Sequence, residues 1–232
     1  MILNDFDNIY VLHLSSRPDR EINFRHQLNK IGLTDKYEIW WTTHRPISTQ
    51  CGDMLTTMHT PDYSNRKKYN KNIYGPVFNC ALEHYTIIRS AYERNFNNII
   101  IFEDDVRFYI DEFTFNHVIN NMPADYDICK FYSSIYSFTD NDGHLNKVDL
   151  HPPKLTELTT NLFSLVNPFK YCYHSTLAYA LSRKGMRQML DSYEDKWQCA
   201  DMVFYNIKDP NCKFYNTNYL ICDNMDWHSD IW

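Results

Sequence analysis

Two apolar periods alternate along this chain, and they predict alternating strands and helices. Residues 9–14 (Ile-Tyr-Val-Leu-His-Leu) form a short, mostly apolar run that reads as a buried strand. Ser15 and Ser16 follow, then Arg17, Pro18 and the acidic Asp19 and Glu21, which together signal a helix start. That helix should run to about Ile31 and stop at Gly32. Residues 38–42 read as a second strand, so the chain opens β-α-β, the unit of a parallel sheet. Residues 44–74 carry Pro46 and Pro61 without sustained periodicity, as a long active-site loop or lid would. From Pro76 the period becomes helical, with Val77, Ala81, Leu82, Tyr85, Ile88, Ala91 and Tyr92 on repeating positions. The wholly apolar residues 99–102 then predict a central strand that runs directly into Glu103-Asp104-Asp105.

The second half continues the alternation less cleanly. A helix is predicted over 112–122 and a strand over 128–132, followed by a turn-rich surface stretch at 139–161. Strand character returns at 171–181, helical spacing at 183–193, a short apolar helix at 200–207 and a last strand at 214–222. No internal repeat or low-complexity linker interrupts the 232 residues, so one α/β domain spanning 1–232 is expected.

Charge and cysteine content narrow the class. With 29 acidic against 23 basic residues the net charge is -6, which argues against a nucleic-acid partner. The basic cluster Arg66-Lys67-Lys68 with Lys71 reads as a solvated loop. The seven cysteines are scattered, with no C-x-x-C pair. They are expected as buried free thiols in a reducing compartment, and no cysteine zinc site is expected. Neither a signal peptide nor a run of ~20 apolar residues is seen. The expected location is cytoplasmic, without a transmembrane segment and with peripheral membrane contact left open.

Three adjacent acids at a strand end repel one another unless a cation offsets them. In open α/β sheets, ligands bind outside the carboxyl ends of strands. Alternation would place Glu103 and Asp105 on one face and Asp104 on the other. Hard carboxylate oxygens suit Mg²⁺ or Mn²⁺, which bridge protein to substrate phosphates. The alternative is a solvated acidic turn. Arg17 and Arg20 place two cations at a helix N-terminus, against the helix dipole. A bound phosphate would relieve that conflict, and so would a salt-bridged turn with Asp19 or Glu21.

Five segments, in order, resemble glycosyltransferase family 25, which includes lipooligosaccharide galactosyltransferases and collagen galactosyltransferase domains. They are residues 9–20, residues 75–84 with Cys80-Ala81-Leu82-Glu83-His84, residues 101–106, residues 174–185 beginning His174-Ser175-Thr176, and the short stretch at Ala200-Asp201. The resemblance implies a GT-A-like, Rossmann-type nucleotide-binding sandwich with a central, mostly parallel sheet flanked by helices. It implies a UDP-sugar donor, a glycan or protein acceptor, and a Mn²⁺ (or Mg²⁺) ion at the acidic triplet. Asp105 becomes the leading metal ligand, with Glu103 and the terminal His228 beside it. Arg17, Arg20, Leu14, His84, Glu103, Ser175 and Thr176 become candidates for the nucleotide sugar. Asp201 is the first candidate for the catalytic base and Asp104 the second.

Four positions depart from the family pattern: Glu83 where Ser is usual, Asn79 near a usual Gly, Ala200 where Pro is common, and His13 where Asn is more usual. The expected activity is inverting transfer of galactose or glucose, in lipopolysaccharide biosynthesis or other glycosylation. A non-catalytic nucleotide- or glycan-binding module is the alternative. A metal-dependent phosphohydrolase ranks below both, because the first strand ends in His-Leu-Ser-Ser rather than a nucleophilic Asp.

Overall fold

The structure, a computed structural model, describes residues 2–42, 74–132, 134–135, 138–139, 145–146, 152, 162–166, 173–195 and 200–225. A 3₁₀ turn (Leu3–Asp5) leads into β1 (Asn8–Leu14), α1 (Pro18–Lys30) and β2 (Glu38–Thr42). Then come α2 (Tyr74–Glu93), β3 (Asn98–Glu103), β4 (Val106–Phe108), α3 (Glu112–Asn120) and β5 (Ile128–Lys130). Four two-residue strands, β6 (Ser134–Ile135), β7 (Phe138–Thr139), β8 (Leu145–Asn146) and β10 (Tyr173–His174), pair as β6 with β10 and β7 with β8. β9 (Phe163–Leu165), β11 (Ala178–Ser182), α4 (Arg183–Asp195), a 3₁₀ helix (Ala200–Asn206), β12 (Phe214–Thr217) and β13 (Cys222–Asn224) complete the described chain.

The main sheet has seven strands in the order β2-β1-β3-β11-β5-β12-β9. β2, β1 and β3 run parallel, as do β5 and β12; β11 and β9 run antiparallel to their neighbours. This is the α/β sandwich with a mostly parallel sheet that the sequence predicts. Strand alternation splits the core in two. Ile9, Val11, Ile100, Phe102, Ala178 and Ala180 face the layer of α1 and α3, where Phe24, Leu28, Phe115 and Val118 pack. Tyr10, Leu12, Ile99, Ile101, Tyr179 and Leu181 face α2, α4 and the second 3₁₀ helix, against Ile88, Met186, Met189 and Phe204.

Local chemistry sets the element ends. Gly32 sits in the left-handed region at φ 79°, and the amides of Gly32 and Leu33 close the end of α1 on Asn29 and Leu28. The Asp111 carboxylate caps α3 by accepting the Thr114 amide at 2.9 Å.

Several boundaries differ from the sequence expectation. The predicted strand over 171–181 is broken between β10 and β11, where Ser175 adopts φ 89°. The predicted strand over 214–222 is also two strands, and β13 pairs with β4, a short strand the periodicity did not reveal. The expected 200–207 helix is 3₁₀. Most of the stretches 44–74 and 139–161 lies outside the described residues.

Candidate functional site

β1 and β3 are adjacent, yet the chain leaves β1 toward β2 on one side and returns to β3 on the other. Their carboxyl ends therefore bound the crevice where strand order reverses, the usual ligand position in such sheets. Leu12 is level with Glu103, so His13 and Leu14 run alongside the acids that follow. β3 ends at Glu103 and β4 begins at Val106, which leaves Asp104 and Asp105 in a tight turn. The three carboxylates take different environments there.

Asp104 turns toward the α1 layer and is buried. One oxygen accepts from the Leu14 amide at 3.0 Å and lies 2.7 Å from His13 Nδ1; the other accepts from Arg20 Nη1 at 2.9 Å. His13 is itself fully buried, edge-on to Phe24 and Trp41. A buried carboxylate needs partners to offset its lost hydration, and here a cation and an amide supply them. Both Asp104 oxygens are engaged, which makes it a clamp joining β1, α1 and the acidic turn. Arg20 points inward to this clamp. Arg17, at the N-cap of α1, makes an ion pair with Asp19 at 2.7 Å.

Glu103 turns the opposite way, toward α2. Its Oε1 accepts from the Thr176 hydroxyl and lies 3.1 Å from His84 Nε2. His84 Nδ1 lies 2.8 Å from the Tyr179 hydroxyl, on the neighbouring strand β11. Ser175 accepts the Leu177 amide through Oγ at 3.1 Å, and the Leu177 carbonyl accepts the Glu103 amide at 2.9 Å. The left-handed Ser175 thus sets the edge that holds Thr176 on Glu103. Burial pushes the Tyr179 phenol well up, with the Glu103 charge adding to it. Donor atoms of Cys80, His84 and Glu103 all lie within 4.8 Å of one another, a cluster that could hold a metal ion.

Asp105 is the strained member. Burial, then the neighbouring Glu103 and Asp104, push its carboxyl up to about 7, against the opposing pull of Arg20. Its Oδ1 is buried and has no hydrogen-bond partner among the described residues. A carboxylate oxygen left in that state fits a hard divalent cation, which would satisfy the lone pairs and lower the pKa together. The Asp105 carbonyl also accepts the Met225 amide at 2.8 Å. Met225 is the last described residue, and His228 lies outside the described residues.

The residues expected to act together are thus sorted by the structure. Leu14, Arg20 and Asp104 meet on the α1 side, and His84, Glu103 and Thr176 on the α2 side. The backbone of Asp201 lies in the second 3₁₀ helix, which packs into the α2-side core through Val203 and Phe204. Its side chain is outside those described. Glu83, one of the departures, accepts the Trp40 indole N–H at 2.9 Å and ties α2 to β2. The sequence reading missed Tyr179 and Cys80 as site residues. The shared helical face of Cys80 and His84 was the visible signal, and only the approach of Glu103 gives it meaning.

The family model for glycosyltransferase family 25 (LPS biosynthesis protein) matches residues 6–204. The chain belongs to glycosyltransferase family 25. A human relative, inactive glycosyltransferase 25 family member 3, is 28% identical over 192 residues, covering 81% of this chain and 29% of that protein. A Xenopus laevis relative, procollagen galactosyltransferase 1-A, is 22% identical over 187 residues, covering 81% of this chain and 28% of that protein. The chain thus spans under a third of the length of these relatives. Among solved structures, mouse xyloside xylosyltransferase 1 in its apo form aligns with TM-score 0.39 and 9% identity, over 89% of this chain and 83% of that one. Among the described residues, no helix is long and apolar enough to cross a membrane.

Proposed function

We propose that this family 25 chain acts as one catalytic domain, transferring galactose or glucose from a UDP-sugar to a hydroxyl of a glycan or protein. The observation that carries the reading is Asp105: a half-buried carboxylate whose buried Oδ1 has no hydrogen-bond partner among the described residues, with a raised pKa, at the crevice where strand order reverses. In this reading Asp105 holds Mn²⁺ or Mg²⁺, with His228 as a further ligand; Glu103, turned toward α2, stands outside that ion's ligands. Such a cation, when bound, supplies positive charge for the departing diphosphate.

The chain's own groups divide the remaining work. The N-terminus of α1 and the partly exposed Arg17 attract the nucleotide phosphates. Arg20 and the Leu14 amide serve the same end at one remove, by fixing Asp104 and with it the acidic turn. His84 and Thr176 orient Glu103, and Ser175 borders the sugar. Asp104 has both oxygens engaged, so the acceptor's proton is assigned to Asp201. This assignment suits an inverting reaction, in which one carboxylate activates the acceptor.

The test is a donor panel with Mn²⁺, reading release of UDP, GDP or CMP. Preferential UDP release with an acceptor, lost in Asp105→Ala while the fold survives, supports the reading. Wild-type turnover by Asp105→Ala would remove it. A second reading has a specific support: the human relative's name describes that protein as inactive. A nucleotide-binding module without turnover would show UDP binding by calorimetry and no transfer or hydrolysis across the panel.

A further inference from the structure

Three residues on the α2 side carry a chemistry different from that of the acidic turn. Cys80 and His84 stand four apart on α2 and so share one helical face. Glu103 reaches that face from the end of β3. Their donor atoms, one sulfur, one imidazole nitrogen and one carboxylate oxygen, lie within 4.8 Å of one another. A tetrahedral zinc ion with ordinary Zn–S and Zn–N lengths needs its ligands about 3.5 Å apart. Mixed S, N and O donors favour Zn²⁺ and its mimic Co²⁺ over the Mn²⁺ or Mg²⁺ that all-oxygen sites select.

The environment of His84 fits a ligand. Nε2 faces Glu103 at 3.1 Å and Nδ1 faces the Tyr179 hydroxyl at 2.8 Å. Without a cation, Nε2–H donates to Glu103 and Nδ1 accepts from Tyr179. A hydroxyl can also accept, so Tyr179 serves equally when the proton sits on Nδ1 and the Nε2 lone pair is released. Metal-bound histidines are held in this way by a partner on their second nitrogen. Thr176 fixes the Glu103 oxygen in the same cluster.

We propose that Cys80, His84 and Glu103 form a zinc-type site, separate from the Asp105 position, that pins α2 to the end of β3. Binding converts the Cys80 thiol to thiolate and releases one proton to solvent; the His84 proton moves from Nε2 to Nδ1 and is retained. Three protein ligands leave a fourth position for water. The inference does not depend on the transferase reading, because it concerns binding alone.

The test titrates Co²⁺ into the metal-free chain and follows the near-ultraviolet thiolate-to-cobalt charge-transfer band, with Zn²⁺ added to displace it. The expected result is a band that saturates at one ion per chain and vanishes in Cys80→Ser. Zn²⁺ affinity should fall by about tenfold or more in Cys80→Ser and in His84→Gln. Asp105→Asn should keep the band, and losing it would overturn the claim of a separate site. Absence of the band in the unmutated chain, or its survival in Cys80→Ser, would overturn the proposal. Alkylation of the unmutated chain, mapped by mass spectrometry, gives a readout independent of variant folding: Zn²⁺ should protect Cys80, and equal labelling with and without Zn²⁺ would reject the site.

Discussion

Arg20 and Asp104 meet at 2.9 Å with their side chains only 9% and 6% exposed, the one on the first turn of α1 and the other in the turn after β3. The pair is 84 residues apart in sequence and closes the crevice floor from the α1 side. Breaking a buried pair from one side leaves the other charge without compensation.

Arg20→Ala is therefore expected to destabilise the fold by about 3 kcal/mol, measured by urea unfolding. Arg20→Met combined with Asp104→Asn should lose less than the sum of the single changes. Additive losses in that double-mutant cycle would show that the contact carries little coupling.

Asp105 predicts a pH dependence of the metal-free chain. Its carboxyl ionises near 3.8 when unfolded and near 7 when folded. Between those values the folded state binds more protons than the unfolded state. The contribution to stability is full below the unfolded pKa and is lost as pH rises through the folded one. Asp105→Asn should flatten this slope and stabilise the metal-free chain at pH 8 by about 1–3 kcal/mol. Thermal melts of both proteins across pH 4 to 8 check this, and parallel profiles would refute it.

The Thr176 hydroxyl has a defined duty on Glu103. Thr176→Val keeps the volume but removes the donor, and should cost about 1 kcal/mol of stability. Under the transferase reading it should also lower kcat more than it changes the KM for donor. Thr176→Ser, which restores the hydroxyl, should recover most of both. Equal kinetics for Val and Ser at this position would show that the hydroxyl does not orient Glu103.

A fourth expectation concerns packing beneath the sheet. A Cβ added at Gly185, in the first turn of α4, would lie 1.8 Å from the Asp127 carbonyl oxygen. Backbone cannot yield as a side-chain tip can, so Gly185→Ala should cost about 3 kcal/mol by forcing α4 away from β5. Chemical denaturation measures it, and a loss under about 0.5 kcal/mol, the level of an ordinary surface change, would contradict the close approach.

Removal of divalent cations gives the last expectation. Under the proposed function, chelation abolishes sugar transfer and added Mn²⁺ restores it. Transfer that survives exhaustive chelation would count against a metal at Asp105.

Local pattern was enough for much of this molecule. The apolar run at Ile99–Phe102 could only be a strand buried on both faces, and the caps around α1 follow from Pro18 and Gly32. The acids follow directly on that strand, at its carboxyl end, where ligands bind in open α/β sheets in general. What sequence could not state was how the acids divide. His13 meets Asp104 across 91 residues, and His84 meets Tyr179 across 95. Such partners depend on which strands become neighbours, and periodicity reports only the backbone period and which face is buried. The antiparallel return of β11 beside β3 brings Tyr179 level with Ile101 and Ala178 level with Phe102, which sets Thr176 beside Glu103. The same sheet order gives Asp104 its cation and leaves the Asp105 oxygen without a partner among the described residues. Sequence placed three like charges side by side; tertiary structure, by supplying each with different neighbours, made them a clamp, a hinge to α2 and a candidate metal ligand.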